Sequence, residues 1–185
     1  TEHITRGLET AARVFHLKGC PIRENPLHLI PRSLREDFQS MLGVTIDGDL
    51  CPVCRWKLLN ELDGKYEDFP VVESSFSQIA SVPPMDANSQ DVSILIGSED
   101  ISKLDLYPED DPRVLSLNGA FNVGNRGIVE FVEIFKNEIE FLHTIITATQ
   151  EKRVPSPGKN AMIHFDGVIL SHCNESEWNK FQSEN

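Results

Sequence analysis

The apolar stretch Gly127-Ile128-Val129-Glu130-Phe131-Val132-Glu133-Ile134 constrains the fold more than any other part of this chain. A run so dense in β-branched and aromatic residues, interrupted only by two carboxylates, reads as a buried strand. A second apolar run, Val168-Ile169-Leu170, follows it at a distance. Between them, Ile139, Leu142, His143, Ile145 and Ile146 recur with helical spacing within residues 138–149. Pro155-Ser156-Pro157-Gly158 then marks a turn between two extended pieces. Buried strands interleaved with helices define an α/β class with a largely parallel sheet.

Upstream the pattern is weaker. Residues 4–12 read as the last turns of a helix, and residues 13–17 as a short strand ended by Gly19 and Pro21. Ser33, with Glu36 three residues on, is the expected N-cap of a helix through Leu42, closed by Gly43. Asp47-Gly48 inside residues 44–50 signals a hairpin turn. A short helix is expected over 56–62. Residues 63–87 are turn-rich, with Pro83-Pro84 as the internal joint. Residues 88–104 read as a helix-containing segment, and the acidic run 108–112 as a solvated loop.

Charge narrows the function classes. Asp and Glu outnumber Lys and Arg by 29 to 17, a formal net charge of −12 over 185 residues. Phosphate neutralisation along a nucleic acid or an anionic membrane needs clustered cations, so neither is an expected partner. One local basic or backbone N–H site suffices for a nucleotide, which the charge therefore leaves open. No apolar run approaches the roughly 20 residues that cross a bilayer. The first residues, Thr1-Glu2-His3-Ile4-Thr5-Arg6, lack signal-peptide anatomy, and the expectation is a soluble, cytoplasmic, internal piece of a longer chain.

Cysteine chemistry is concentrated in the first third. Cys51-x-x-Cys54 with Cys20 and His28 supplies four soft or borderline ligands, a set suited to a tetrahedral structural zinc. The competing reading makes these small core residues, with His28 a packed or hydrogen-bonded histidine. A redox role lacks the strand–motif–helix context it requires. Cys173, in the last strand, reads as structural.

The order of features in the last third carries the function. A Gly-initiated strand ends in the carboxylate Glu133; a helix and a turn follow; a second strand ends at Asn174. Nucleotide hydrolysis or phosphoryl transfer needs a carboxylate to orient or deprotonate the nucleophile, and an amide that hydrogen-bonds phosphate or nucleophile. Strand ends at the carboxyl edge of a sheet are where such groups are held.

The strings from Asn118 through Lys136, Thr147 to Glu151 and Val168 to Trp178 are together similar to the AAA+ domain of PrkA-type serine protein kinases. Ser89 to Ser93 with Ile96-Gly97, and Gly19-Cys20-Pro21 with Pro26 to Pro31, resemble the same family. The resemblance runs in order from about Lys18 to Trp178. It implies an incomplete AAA+ P-loop core with a small Cys-containing insertion. Residues 1–19 would close the first helix and following strand, 20–87 form the Cys/His insertion, and 88–185 carry the Walker B to sensor-1 part.

By motif, Glu133 matches the Walker B catalytic carboxylate and Asn174 the sensor-1 position. Also implied are ATP and magnesium as ligands, protein substrates phosphorylated on serine, and a ring-forming homo-oligomer. Two departures stand against turnover. Val132 occupies the place of the Asp that commonly precedes the Walker B Glu, leaving Glu130 as the candidate replacement among the cofactor-binding residues. No Gly-x-x-x-x-Gly-Lys-Ser/Thr string occurs; Gly64-Lys65 and Gly158-Lys159 both lack its other elements. The resemblance places that loop upstream of Thr1. The alternative function is a catalytically inactive ATPase-like module for binding or oligomerisation, zinc-stapled if the cysteines hold metal.

Overall fold

In a computed structural model, the structure describes Gly7 and residues 13–74, 78–84, 91–137, 139–158 and 161–184. The helix read over residues 4–12 falls outside these, apart from helical Gly7. The strands are β1 Val14–Leu17, β2 Val71–Ser74, β3 Ile79–Val82, β4 Ser98–Glu99, β5 Leu115–Ser116, β6 Ile128–Phe131, β7 Arg153–Pro155, β8 Met162–His164 and β9 Val168–Ser171. The α-helices are α1 Arg35–Leu42, α2 Pro52–Asn60, α3 Ser93–Ile96, α4 Ala120–Val123, α5 Ile139–Glu151 and α6 Glu175–Glu184.

The organising unit is a parallel sheet of order β3-β6-β9. Ile128 to Phe131 pairs with Ile79 to Val82 on one side and Val168 to Ser171 on the other, in register throughout. Both neighbours run parallel, so the connections must cross over, and α5 lies in the crossover from β6 to β9. The β6 residues Ile128, Val129 and Phe131 are fully buried, which is why this strand reads as a nearly continuous apolar run. Gly127 opens it because a side chain there would collide with the Gln78 carbonyl. Phe121 packs on Phe131 and edge-on against Phe165, with Phe141, Leu142, Ile145 and Ala148 of α5 completing the core.

The smaller pairs are antiparallel. β1 pairs with β2, β4 with β5, and β7 with β8 around the turn at 156–158. Residues 63–87, expected to be turns, contribute both β2 and β3, and β3 joins the parallel sheet from inside the 20–87 span. Periodicity missed them because each is only four residues long and lies beside prolines. Ser33 is not an N-cap: a 3₁₀ turn over Arg32–Leu34 leads directly into α1, while Gly43 closes α1 in the left-handed region as expected. Residues 43–50 form no strand, so Asp47-Gly48 makes no hairpin. Gly48 is instead a close-approach site, where a side chain would strike the His28 and His164 rings. α2 begins at Pro52 rather than Trp56, because Pro at the first helical position and the Cys51 sulfur as N-cap acceptor start it early. Within the acidic loop, Asp111 caps a 3₁₀ turn and holds Arg113, which stacks between Tyr107 and Trp56 of α2. Among the described residues no helix is long and apolar enough to cross a membrane.

Asn125 ties the Cys-bearing segment to the sheet. Its Nδ2 donates to the Ile22 carbonyl at 2.7 Å, and its Oδ1 accepts the Asp166 N–H at 2.8 Å. The residue is 4% exposed, so water cannot replace either bond. Substituting Asn125→Leu leaves a buried carbonyl and a buried N–H unpaired. The expected cost is about 2–6 kcal/mol, at 1–3 kcal/mol per orphaned group, read as a lowered urea midpoint with unchanged m-value. A loss within about 0.5 kcal/mol would show that these bonds do not anchor the segment.

Candidate functional site

Two clusters stand out. The first sits at the carboxyl edge of the parallel sheet. Past the end of β6 the ladder continues: Val132 N–H donates to the Val82 carbonyl at 3.0 Å, and Ile134 N–H to that of His172 at 3.1 Å. Between them Glu133 adopts φ 52° and ψ 54° and opens a 3₁₀ turn over Ile134–Lys136. A left-handed conformation costs a non-glycine residue roughly 1–2 kcal/mol, and the two flanking bonds hold it in place. The turn lifts the Glu133 side chain off the strand and over the edge.

Asn174 lies beyond the end of β9, and its carbonyl accepts the Trp178 N–H that begins α6. Its side-chain Nδ2 donates to Glu133 Oε1 at 2.7 Å. The other carboxylate oxygen, Oε2, is ion-paired to Lys136 Nζ. The Lys136 ammonium, first by its hydrogen bond and then by its charge, holds the Glu133 carboxyl below the usual carboxylate range, with Asn174 adding to the effect. The Glu133 carboxylate in turn raises Lys136. Phe135 packs against Trp178 and Phe181 at centroid distances of 5.2 and 4.5 Å, fixing α6 against this turn. The edge thus presents a charged, oriented carboxylate suited to accepting a hydrogen bond from a nucleophile. Sequence reading singled out Glu133 and Asn174, and the structure brings them together. It missed Lys136, whose three-residue spacing from Glu133 was the available signal.

Glu130 is not at this edge. It lies within β6, half-buried, paired in register with Ser81 and Leu170, and one pleat repeat before Val132. Gly64, at φ 76°, closes the turn after α2 by donating to the Leu58 carbonyl, which accounts for its glycine without any phosphate. Lys159 lies outside the described residues.

The second cluster gathers Cys20, Glu24, Cys51 and Cys54, whose ligand atoms all lie within 4.8 Å of one another. Cys20 follows the turn after β1, and Cys51 and Cys54 bracket the first turn of α2. The Cys20 and Cys51 sulfurs are 4.0 Å apart. Backbone N–H groups point at sulfur, from Glu24 to Cys20 at 3.3 Å and from Cys54 to Cys51 at 3.4 Å. Hydrogen bonds from Cys51 and Cys54, with the backbone N–H groups of Glu24 and Ile22, bring Cys20 down to about 3 against the opposing effect of burial. The bond to Cys20 pushes Cys51 and Cys54 up in turn.

The fourth position, which the spacing assigned to His28, is occupied by Glu24. Glu24 is 1% exposed; its Oε1 is hydrogen-bonded to His28 Nδ1 at 2.6 Å, and its Oε2 accepts the Cys51 N–H at 2.6 Å. His28 stands behind the carboxylate, its ring edge-on to His164 at 5.2 Å. Burial, and then the proximity of His28, pushes His164 down. The four-residue spacing of Cys20, Glu24 and His28 was the sequence signal for Glu24. Cys173 is exposed and stands apart from the other three cysteines.

A family model described as the PrkA AAA domain matches residues 1–185. The fold is of α/β class with a parallel sheet, in a chain that matches an AAA domain. A Bacillus subtilis (strain 168) protein named ATP-dependent protease PrkA is 40% identical over 176 residues, covering 92% of this chain and 28% of its own length. An Escherichia coli (strain K12) protein named serine/threonine kinase YeaG is 42% identical over 132 residues, covering 69% of this chain and 20% of its own. The chain belongs to the PrkA AAA domain family, and it spans less than a third of the length of these relatives. Among solved structures, NtrX from Brucella abortus superposes with a TM-score of 0.44 at 15% identity, over 57% of this chain and 22% of that one.

The ion pair at the edge makes a titration testable. Replacing Lys136→Met removes the largest influence on Glu133, so its carboxyl should titrate at higher pH, toward the ordinary glutamate value of about 4.3. Carboxyl ¹³C NMR reads this directly; an unmoved titration would contradict the pairing. In the unaltered protein the pair's contribution to stability is present above the ordinary glutamate range. It is lost as pH falls through the depressed folded-state value.

Proposed function

We propose that Glu133 and Asn174 form the hydrolytic edge of an ATP site in a protein that transfers phosphate to serine on protein substrates and works as a homo-oligomer. The observation that carries this reading is the 2.7 Å bond joining the two side chains across the carboxyl ends of adjacent parallel strands. Two relatives support ATP use by their names, one a serine/threonine kinase and the other an ATP-dependent protease. The names differ on what the ATP is used for, and serine transfer is the finer part of the proposal.

ATP with magnesium, when bound, supplies an electrophilic γ-phosphorus whose charge the metal offsets. Glu133 is placed to accept a hydrogen bond from the attacking hydroxyl or water and to take its proton. Its depressed pKa suits it better to orienting that nucleophile than to storing the proton. Asn174 holds the carboxylate in position through Oε1 and has a second amide hydrogen for phosphate or nucleophile. Lys136 competes for Oε2, so a bound nucleotide would act on a carboxylate already charged. For the metal the donor set is thin: Val132 offers no side-chain oxygen and Glu130 lies within β6, which leaves Glu133 as the carboxylate of this strand at the edge.

That thinness, with the lack of a phosphate-loop string in these 185 residues, favours a second reading, an ATPase-like module for binding or oligomer contacts without turnover. A structural zinc in the Cys-bearing segment serves either reading, since it stands apart from the edge. In the intact protein, Glu133→Gln should retain ATP binding and lower phosphate transfer by at least about 10²-fold, the size of a general-base contribution. Full turnover in that variant would leave the second reading. Residues 1–185 alone should show no heat of ATP binding by calorimetry, and micromolar affinity would contradict the account.

A further inference from the structure

We infer that Cys20, Glu24, Cys51 and Cys54 bind one structural zinc ion, with His28 orienting Glu24 from behind rather than ligating. Tetrahedral zinc with Zn–S near 2.3 Å sets its sulfurs about 3.8 Å apart. The Cys20–Cys51 separation of 4.0 Å is within a few tenths of that, and all four donor atoms lie within 4.8 Å. Small relaxations close the set around an ion. The donor chemistry, three sulfurs and one carboxylate oxygen, suits zinc and does not suit magnesium or calcium.

The surroundings favour anionic sulfur. N–H groups of Glu24 and Cys54 already donate to sulfur, and Cys51 sits at the N-terminus of the nine-residue α2, whose dipole stabilises negative charge. Glu24 uses one lone pair of each oxygen, on His28 and on the Cys51 N–H, and each oxygen retains another for metal. The carboxylate–histidine pair seen elsewhere behind zinc is inverted here: the carboxylate faces the site and the imidazole supports it. Four ionisable groups buried together are costly without a cation, and zinc on three thiolates and a carboxylate offsets two of their four negative charges.

The site also has something to hold. Residues 43–50, which lead into Cys51, form neither helix nor strand, and 31 positions separate Cys51 from Cys20. A metal would close that loop onto the turn after β1, where Asn125 already fixes Ile22. This inference is independent of the ATP reading, because its readouts are metal content and spectra rather than turnover.

The intact protein, purified without added metal, should contain stoichiometric zinc by plasma mass spectrometry and lose thermal stability when a strong chelator removes it. Exchange with Co²⁺ should give the intense visible bands of a tetrahedral, thiolate-rich site. Glu24→Gln should shift those bands. His28→Gln should leave their positions unchanged while lowering zinc affinity roughly 10–100-fold, as for a supporting residue. Cys51→Ser should lose the metal; if that variant does not fold, the cobalt spectrum of the unaltered protein decides. A fully folded protein without bound metal and with chelator-insensitive melting would overturn the site. Cobalt bands altered by His28→Gln but not by Glu24→Gln would overturn the ligand set.

Discussion

Hydrogen bonding on both sides of β6 is the constraint from which the rest of the structure follows. The strand pairs in parallel with β3 and β9, and its Ile128, Val129 and Phe131 are wholly buried, so neither register can slip without exposing the core. Parallel pairing puts the carboxyl ends of neighbouring strands at one edge. That brings Glu133 and Asn174, 41 positions apart in the chain, within hydrogen-bond reach. The left-handed backbone at Glu133 is the local consequence: it lies between the hydrogen bonds to the Val82 and His172 carbonyls, where the strand turns at the edge.

The other end of β6 has a different task. Asn125, Arg126 and Gly127 precede it, and all three hold neighbours close. Asn125 grips the Ile22 carbonyl, Arg126 donates to the Phe15 carbonyl, and Gly127 lets the Gln78 backbone approach. The Cys-bearing segment is further fastened by the Leu17 N–H to the Glu24 carbonyl and the Lys18 N–H to that of Pro70. One strand therefore anchors the cysteine segment at its amino end and presents the carboxylate at its carboxyl end. Distortion of β6 should be felt at both clusters, although they share no side chain.

What was legible in the sequence follows from how each element is stabilised. β6 and α5 are held by burial, and burial writes itself as apolar periodicity, whereas β9 is only partly buried and is legible from its three consecutive apolar residues. β2 and β3 were not read, because four-residue strands beside prolines owe their existence to partners elsewhere in the chain rather than to local pattern. The hairpin expected at Asp47-Gly48 fails for the same reason in reverse: a local turn signal is overruled by the His28 and His164 rings packed against Gly48. At the sites, residue types with strong chemistry were found and their supports were not. Glu133, Asn174 and the three clustered cysteines were visible, whereas Lys136 and Glu24 are ordinary charged residues whose importance lies only in what folding places beside them. His28 was visible too, and the structure gives it a position one step behind the one its chemistry suggested.

The Glu133–Asn174 edge is proposed to face the reacting phosphate. A structure of the intact protein with magnesium and a non-hydrolysable ATP analogue tests it most directly. The Asn174 amide should lie about 3 Å from a γ-phosphate oxygen, and the Glu133 carboxylate about 3 Å from a water in line with the γ-phosphorus. A nucleotide bound elsewhere, with this pair still closed on Lys136 and away from any phosphate, would contradict it.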